Sequence, residues 1–439
     1  MRVLMTADAV GGVWTYATTL AASLAPHGVE ILLATMGPRP GAAQRAHVAA
    51  SLPNVTFVES DYRLEWMADP WPDVERAGRW LLDLAAAYRP DIVHLNGYAH
   101  GALDWPAPVL VAGHSCVLSW WDAVKGEPAP ATDWAGYRTA VARGLRAVDA
   151  VVAPTRAMLD ALHRHYGLPI ERGRVIPNGI ALAASHRRST TPHDSQNLAA
   201  GPLSRSRERA RVRGVLSSPQ ISPAPVTIGA RPSPRPSPAG GRGRTIVAQI
   251  GEGDWGSKQP VILSAGRLWD EAKNVAALDR VAADLPWPVL IAGEAAHPDG
   301  HVFTVSHATL LGRLDAARMA ERYASASIYA LPARYEPFGL SALEAAAAGC
   351  ALVLGDIRSL REIWGDAALF VPPGDDAALA AALRRLIGDP VMRARYAARA
   401  HRRAGHFTAG RMASAYADLY RSLMCSAEPS LPLLAANDA

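Results

Sequence analysis

The chain opens on an apolar run, RVLMTA at 2–7, passes through a helical stretch from about Val13 to Ala25, and returns to an apolar run, VEILLAT, at 29–35. The same kind of run recurs as DIVHLNG (91–97), PVLVAGH (108–114) and AVVAPT (150–155). Short β-rich runs alternating with helical stretches predict parallel strands whose crossover helices cover both faces of a sheet. From Val261 the pattern restarts with VILSAGRL, PVLIAGE (288–294), SIYALPA (327–333), ALVLGDI (351–357) and LFVPPGD (369–375). A second α/β unit of the same type is therefore predicted.

Between the two units the pattern disappears. From Gly167 to Asp254 there is no Phe, Tyr or Trp, and residues 186–244 carry nine prolines, including the low-complexity RPSPRPSPAGGRGR at 231–244. Such a stretch cannot bury enough apolar area to offset its ordering entropy, so a disordered insertion is expected at the inter-domain connection. The expected division is an N-terminal domain at 1–180, the insertion at 181–258, a C-terminal domain with its closing helices at 259–424 and a flexible tail at 425–439. The helices predicted from Asp376 to Met424 have arginine-rich outer faces.

Length supports two domains: 439 residues, 49% of them hydrophobic, exceed what one core usually takes. Charge changes the picture more. The net +5 suggests a nucleic-acid or anionic-membrane partner, but residues 186–244 hold 11 arginines against Asp194 and Glu208, a local +9 that leaves −4 for the rest. The folded part is mildly acidic, so no nucleic-acid partner is expected. The insertion's arginines read as a solvated loop with no dedicated partner. Three cysteines, Cys116, Cys350 and Cys425, share no short spacing, which indicates neither a disulfide framework nor a thiolate metal site and fits a reducing, cytoplasmic compartment. The N-terminus reads as a strand and not a signal peptide, and no run approaches the length of a membrane span.

In an open parallel sheet ligands collect at the carboxyl ends of the strands, beside helix N-termini that favour anions. Each candidate residue falls at such an end. Gly11 and Gly12 follow the first strand; they form a simple turn or let the backbone approach a phosphate or sugar. His114, in Gly-His-Ser after PVLVAG, either is a satisfied structural histidine or orients a substrate hydroxyl. Trp120 and Trp121 either stack on a sugar or pack. In SAGRLWDEAKN (264–274), Arg267 and Lys273 are an exposed basic turn or a diphosphate clamp made of a planar fork and a mobile point charge.

The stretch RYEPFGLSALEAAAAG (334–349) places Glu336 and Glu344 eight positions apart. Pro337 and Gly339 predict a helix starting near Leu340, with Glu344 in its early turns and Glu336 on the preceding loop. The backbone N–H groups of Phe338, Gly339, Leu340 and Ser341 would then point between the carboxylates. A nucleotide sugar would satisfy this layout, with Glu344 on the ribose, Glu336 on the sugar, and the helix end with Arg267 and Lys273 on the diphosphate.

The early glycine pair, Gly113-His114-Ser115, VIPNGI (175–180), SAGRL followed after five residues by Asn274, and the Glu-x(7)-Glu block ending in GCALVLGDI together resemble the retaining glycosyltransferases of family 4. The resemblance covers both units and omits the insertion and tail. It implies a GT-B fold, two Rossmann-like doubly wound α/β domains facing across a cleft. It also implies a cytoplasmic hexosyl- or other glycosyltransferase that moves a sugar with retention from a nucleoside-diphosphate sugar to a saccharide or lipid-linked acceptor. Retention would proceed by front-face attack, with Glu336 binding the sugar and not attacking it. No metal or other cofactor is expected, since Arg267, Lys273 and a helix end would stabilise the departing diphosphate. A lipid-linked acceptor would add peripheral membrane contact. The rival readings are a nucleotide-sugar epimerase and a nucleotide-sugar-binding scaffold without turnover. Two departures stand out: the insertion follows directly on Pro177-Asn178-Gly179, and Ala181 replaces the usual acidic residue.

Overall fold

The computed structural model describes residues 1–9, 11–181, 258–296 and 302–427. The expected disordered insertion lies outside the described residues, apart from its terminal positions Ala181 and Lys258. So does the tail beyond Ala427.

The N-terminal unit runs β1 (Arg2–Asp8), α1 (Gly12–Leu24), β2 (Glu30–Met36), α2 (Ala42–Ser51), β3 (Val55–Glu59), α3 (Trp71–Tyr88), β4 (Ile92–Leu95), β5 (Val109–Ala112), α4 (Val117–Lys125), α5 (Ala131–Ala147), β6 (Ala150–Ala153), α6 (Arg156–Tyr166) and β7 (Gly173–Val175). Its seven strands are ordered β3-β2-β1-β4-β5-β6-β7, and every paired neighbour is parallel. Successive side chains leave opposite faces of a strand, so Leu4, Val93 and Val111 enter one core while Val3, Met5 and Leu110 enter the other. Burial on both faces explains why these strands read as unbroken apolar runs.

The second unit runs β8 (Gln259–Ala265), α7 (Val275–Ala282), β9 (Val289–Ala292), β10 (Thr309–Gly312), α8 (Ala316–Ser325), β11 (Ala326–Leu331), α9 (Leu340–Ala347), β12 (Ala351–Gly355), α10 (Arg358–Trp364), β13 (Ala368–Val371), α11 (Asp376–Gly388), α12 (Pro390–Ala404) and α13 (Ala409–Ala427). Its six parallel strands are ordered β10-β9-β8-β11-β12-β13. Both sheets reverse strand order beside their first strand, which puts a crevice at the carboxyl ends of β1 and β4 in one and of β8 and β11 in the other.

The structure departs from the sequence reading at the last helix. Helix α13 was expected among the closing helices of the C-terminal unit, but it packs Met412, Tyr416 and Tyr420 into the N-terminal core against Val3, Met5 and Tyr16. His94, buried on β4, ties it down: its Nδ1 lies 2.7 Å from the Tyr420 hydroxyl, and its ring stacks on Tyr416 at 5.2 Å. The chain returns where Ile180 bridges Thr408, with the Ile180 N–H donating to Phe407 and the Ala409 N–H to Ile180. Gly179 permits this crossing, since a Cβ there would stand 2.3 Å from the Thr408 carbonyl oxygen. Among the described residues no helix is long and apolar enough to cross a membrane.

Candidate functional site

The loop after β8 carries the two expected cations, and both are ion-paired. Lys273 Nζ lies 2.7 Å from Glu336 Oε2, with both side chains only 14% exposed. The second oxygen of Glu336 accepts the Gly339 N–H at 2.9 Å and the Phe338 N–H at 3.4 Å. Those two N–H groups therefore meet Glu336, where the sequence reading aimed them at a ligand between the carboxylates. The Phe338 ring is buried edge-on against Phe407, so it is only the backbone of Phe338 that faces the site.

Arg267 pairs with Asp270 at 2.9 Å, and its guanidinium lies 5.3 Å from the Trp269 ring centre. Asp270 was missed by the sequence reading. Its other oxygen accepts the Ala272 N–H at 3.0 Å and the Trp120 indole N–H at 3.1 Å. Burial alone would raise the Asp270 carboxyl; Lys273 and Arg267, together with the hydrogen bonds from Trp120 and Ala272, outweigh it and hold the group below the ordinary range. Asn274, buried and with φ of 55°, donates to the Pro332 and Pro373 carbonyls at 3.0 and 2.7 Å, fixing this loop to the ends of β11 and β13.

Helix α9 begins at Leu340 as its sequence predicts, after Gly339 in the left-handed region at φ 90°. Glu344 lies in its second turn, and burial raises its carboxyl pKa against the opposing hydrogen bond from the Tyr323 hydroxyl. The two glutamates thus differ: Glu336 is held as the partner of a lysine, and Glu344 is half-buried beside a tyrosine.

Across the cleft, Gly11 immediately precedes α1 at φ 76° with open space where a Cβ would stand. A Cβ on Gly12 would lie 3.8 Å from Leu340 Cδ1, so the glycine turn of the first sheet directly faces the start of α9. His114 follows β5, with its Nε2 2.7 Å from Asn96 Oδ1 and its ring edge-on to Tyr16 at 4.4 Å. Asn96 is itself fixed, because its backbone N–H donates to Thr6 Oγ1 and its Nδ2 donates to the Thr6 carbonyl at 2.6 Å. The amide oxygen must then accept, which places the imidazole proton on Nε2 of His114 and leaves the Nδ1 lone pair free of that bond. Burial pushes the His114 pKa down to about 4, so the ring is neutral at pH 7.

The halves are joined beside this site. Tyr335 reaches across so that its hydroxyl accepts the Cys116 N–H at 3.2 Å and lies 2.8 Å from Ser119 Oγ. Thr155 Oγ1 donates to the Pro337 carbonyl, and Glu362 accepts the first two N–H groups of α6, from Arg156 at 2.7 Å and Ala157 at 3.0 Å. The Trp120 indole joins this seam through Asp270, while Trp121 packs into the N-terminal core. The sequence carried a signal for Asn96 and Tyr335: the first ends the DIVHLN run, and the second adjoins Glu336. Their roles follow from what stands opposite them, which no spacing reports.

The site thus gathers Gly12, Arg267, Lys273, Glu336 and the start of α9 where the two sheets meet, with His114 on the N-terminal wall and Glu344 farther along α9. Among the described residues no group of three or more His, Cys, Asp or Glu side chains is arranged to hold a metal ion.

Residues 10–184 match the model of Glycosyltransferase Family 4, and residues 259–389 match that of Glycosyl transferases group 1. The chain is 39% identical over 154 residues to a glycogen synthase from Mycobacterium tuberculosis, a match spanning 32% of this chain and only 37% of that protein. It is 27% identical to a D-inositol 3-phosphate glycosyltransferase from Streptomyces avermitilis over 95% of this chain and 84% of the relative. In fold it resembles Anabaena HepE, solved in complex with UDP and glucose, with a TM-score of 0.62 at 14% identity over 96% of this chain and all of that one.

Proposed function

The chain belongs to glycosyltransferase family 4 and has the GT-B fold, and from that premise we propose that it transfers a sugar, with retention, from a nucleoside-diphosphate sugar to a saccharide or lipid-linked acceptor. The observation that carries the reading is the convergence of Lys273 and Glu336 on the start of α9, opposite Gly12, with Arg267 paired to Asp270 on the same loop as Lys273. The UDP and glucose in HepE, a protein of the same fold, support a donor of this class.

The donor lies along the C-terminal half. Glu344 holds the ribose hydroxyls; Glu336 holds the sugar hydroxyls. The departing diphosphate accumulates charge, and Arg267, Lys273 and the positive end of α9 stabilise it, so that no metal is required. Charge already in place at the leaving group costs little reorganisation during the reaction. The acceptor lies against the N-terminal half, where Gly11 and Gly12 admit it closely. His114, neutral and of fixed tautomer, offers a lone pair or a ring edge to a hydroxyl without adding charge. The acceptor hydroxyl attacks the anomeric carbon on the face the diphosphate leaves, and a terminal phosphate oxygen takes its proton. The enzyme works in the cytoplasm, and a lipid-linked acceptor would bring it to a membrane surface.

The test is titration with a panel of nucleoside diphosphates and nucleotide sugars, with and without EDTA, followed by diphosphate release with candidate acceptors. Glu344→Ala should weaken even the bare nucleoside diphosphate, and Glu336→Ala should weaken mainly the intact nucleotide sugar. Equal losses for both ligands in both variants would sink this division, and binding abolished by EDTA would sink metal independence.

A further inference from the structure

Behind the seam made by Tyr335 lies a second space, a cavity of about 710 Å³ walled by α4 and α6 on one side and by the loops after β11, β12 and β13 on the other. Its volume is in the range of small-molecule sites. None of Arg267, Lys273, Glu336, Glu344 and His114 borders it. Tyr335 stands on its border, its hydroxyl held on Ser119 and on the backbone of Cys116.

The charges on this wall are unbalanced. Lys125 is bonded to Glu271, and Arg358 to Asp160. Of the acids that border the cavity, Asp356 is paired with Arg361, and Asp122 stands 3.1 Å from His165 Nε2 without a hydrogen bond to it. Two guanidiniums remain: half-buried Arg334, from the C-terminal half, and exposed Arg164, from the N-terminal half. Neither side chain has a hydrogen-bond or ion-pair partner among the described residues. Apolar surface from Val124, Met158 and Ile357 completes the lining. Arginines on the lining of a cavity that also offers apolar walls suit a compact polyol bearing a phosphate, since a guanidinium fork matches phosphate oxygens and the walls take the carbon skeleton.

We propose that this cavity is a second ligand site, which takes a phosphate monoester of sugar size as an effector and not as a substrate. A molecule held here is lined by none of the side chains assigned to the donor. Because Arg334 and Arg164 come from different halves of the molecule, the bound phosphate bridges them and favours the joined arrangement. Its binding and nucleotide binding then strengthen each other, by the same factor in either direction.

The experiment is calorimetric titration of the full-length protein with a hexose 6-phosphate, using the neutral hexose and inorganic phosphate as controls, with and without saturating nucleoside diphosphate. The phosphate ester should bind saturably, the neutral hexose should not, and nucleoside diphosphate should tighten the ester's binding. Inorganic phosphate binding as well as the ester would mean that the polyol adds nothing and would overturn the assignment to a sugar-sized ligand. Loss of one charge-assisted contact in Arg334→Met should weaken the ester about tenfold, with nucleoside diphosphate affinity, measured alone, retained. Arg164→Met, on an exposed helix position, should act in the same direction and guards against a folding defect in the first variant. Absence of saturable ester binding, indifference to both substitutions, or competition between ester and nucleoside diphosphate would each overturn the proposal. Retained nucleotide binding in the same titrations separates that outcome from a failure of the transferase reading.

Discussion

At the ends of β8 and β11 the cleft is lined by full charges held in pairs, Lys273 with Glu336 and Arg267 with Asp270, whereas at the ends of β4 and β5 the corresponding groups are neutral, His114 on Asn96 with Tyr16 at its edge. The chemistry proposed for each half accounts for the difference. A diphosphate leaving group needs positive charge fixed in advance, and a buried lysine can be kept charged only beside a carboxylate. An acceptor hydroxyl needs a neutral, oriented partner, and burial keeps an imidazole neutral without any countercharge.

Removing a cation should break the comparison most severely. Lys273→Met takes charge from the leaving group and strands Glu336, so transfer should fall by roughly two to three powers of ten, with weaker nucleoside diphosphate binding. Initial rates and titration check this, and a rate close to that of the parent would remove Lys273 from the site.

The neutral half should be recognisable by its response to acid. Burial, and secondarily the neighbouring His114, holds His94 down to about 3, and burial holds His114 to about 4, both below the ordinary 6.5. The unfolded chain takes up these protons below pH 6.5 while the folded chain resists, so their contribution to stability is complete above pH 6.5 and is lost as pH falls toward 3. Each group steepens the loss by up to about 1.4 kcal/mol per pH unit. His94→Gln should flatten the dependence of the urea midpoint between pH 6 and 4 relative to its own value at pH 7.5; an unchanged slope would mean that His94 is not held neutral.

Asn96→Leu should sharpen the contrast. Loss of the bond that sets the His114 tautomer should lower kcat about tenfold and leave nucleoside diphosphate affinity unchanged, because that affinity belongs to the other half. A parallel fall in both would show that the halves are not separable. The smallest effect is expected at the seam: Tyr335→Phe removes hydrogen bonds to Cys116 and Ser119 and should cost about 1 kcal/mol in thermal or urea unfolding.

The fold was legible where strands are buried on both faces. Central strands such as β1, β5, β8 and β11 read as apolar runs, but the edge strands β3, β7 and β10 were not predicted, since their residues are largely half-exposed or exposed and carry no comparable signal. The course of α13 was hidden for another reason. Its apolar face reads the same whichever sheet it covers, and it is the crossing at Gly179 and the tyrosines around His94 that assign it to the first.

The sequence by itself determined the two parallel sheets, the start of α9, and which residues stand at strand ends where chemistry collects. These depend on local periodicity and on the few residues that can turn or cap a chain. Only the tertiary structure decided that Lys273 meets Glu336 across 63 positions, that Asn96 sets the proton on His114, and that Tyr335 closes the seam onto Ser119. Such partnerships depend on the direction and burial of side chains brought together by packing, and spacing along a chain carries neither.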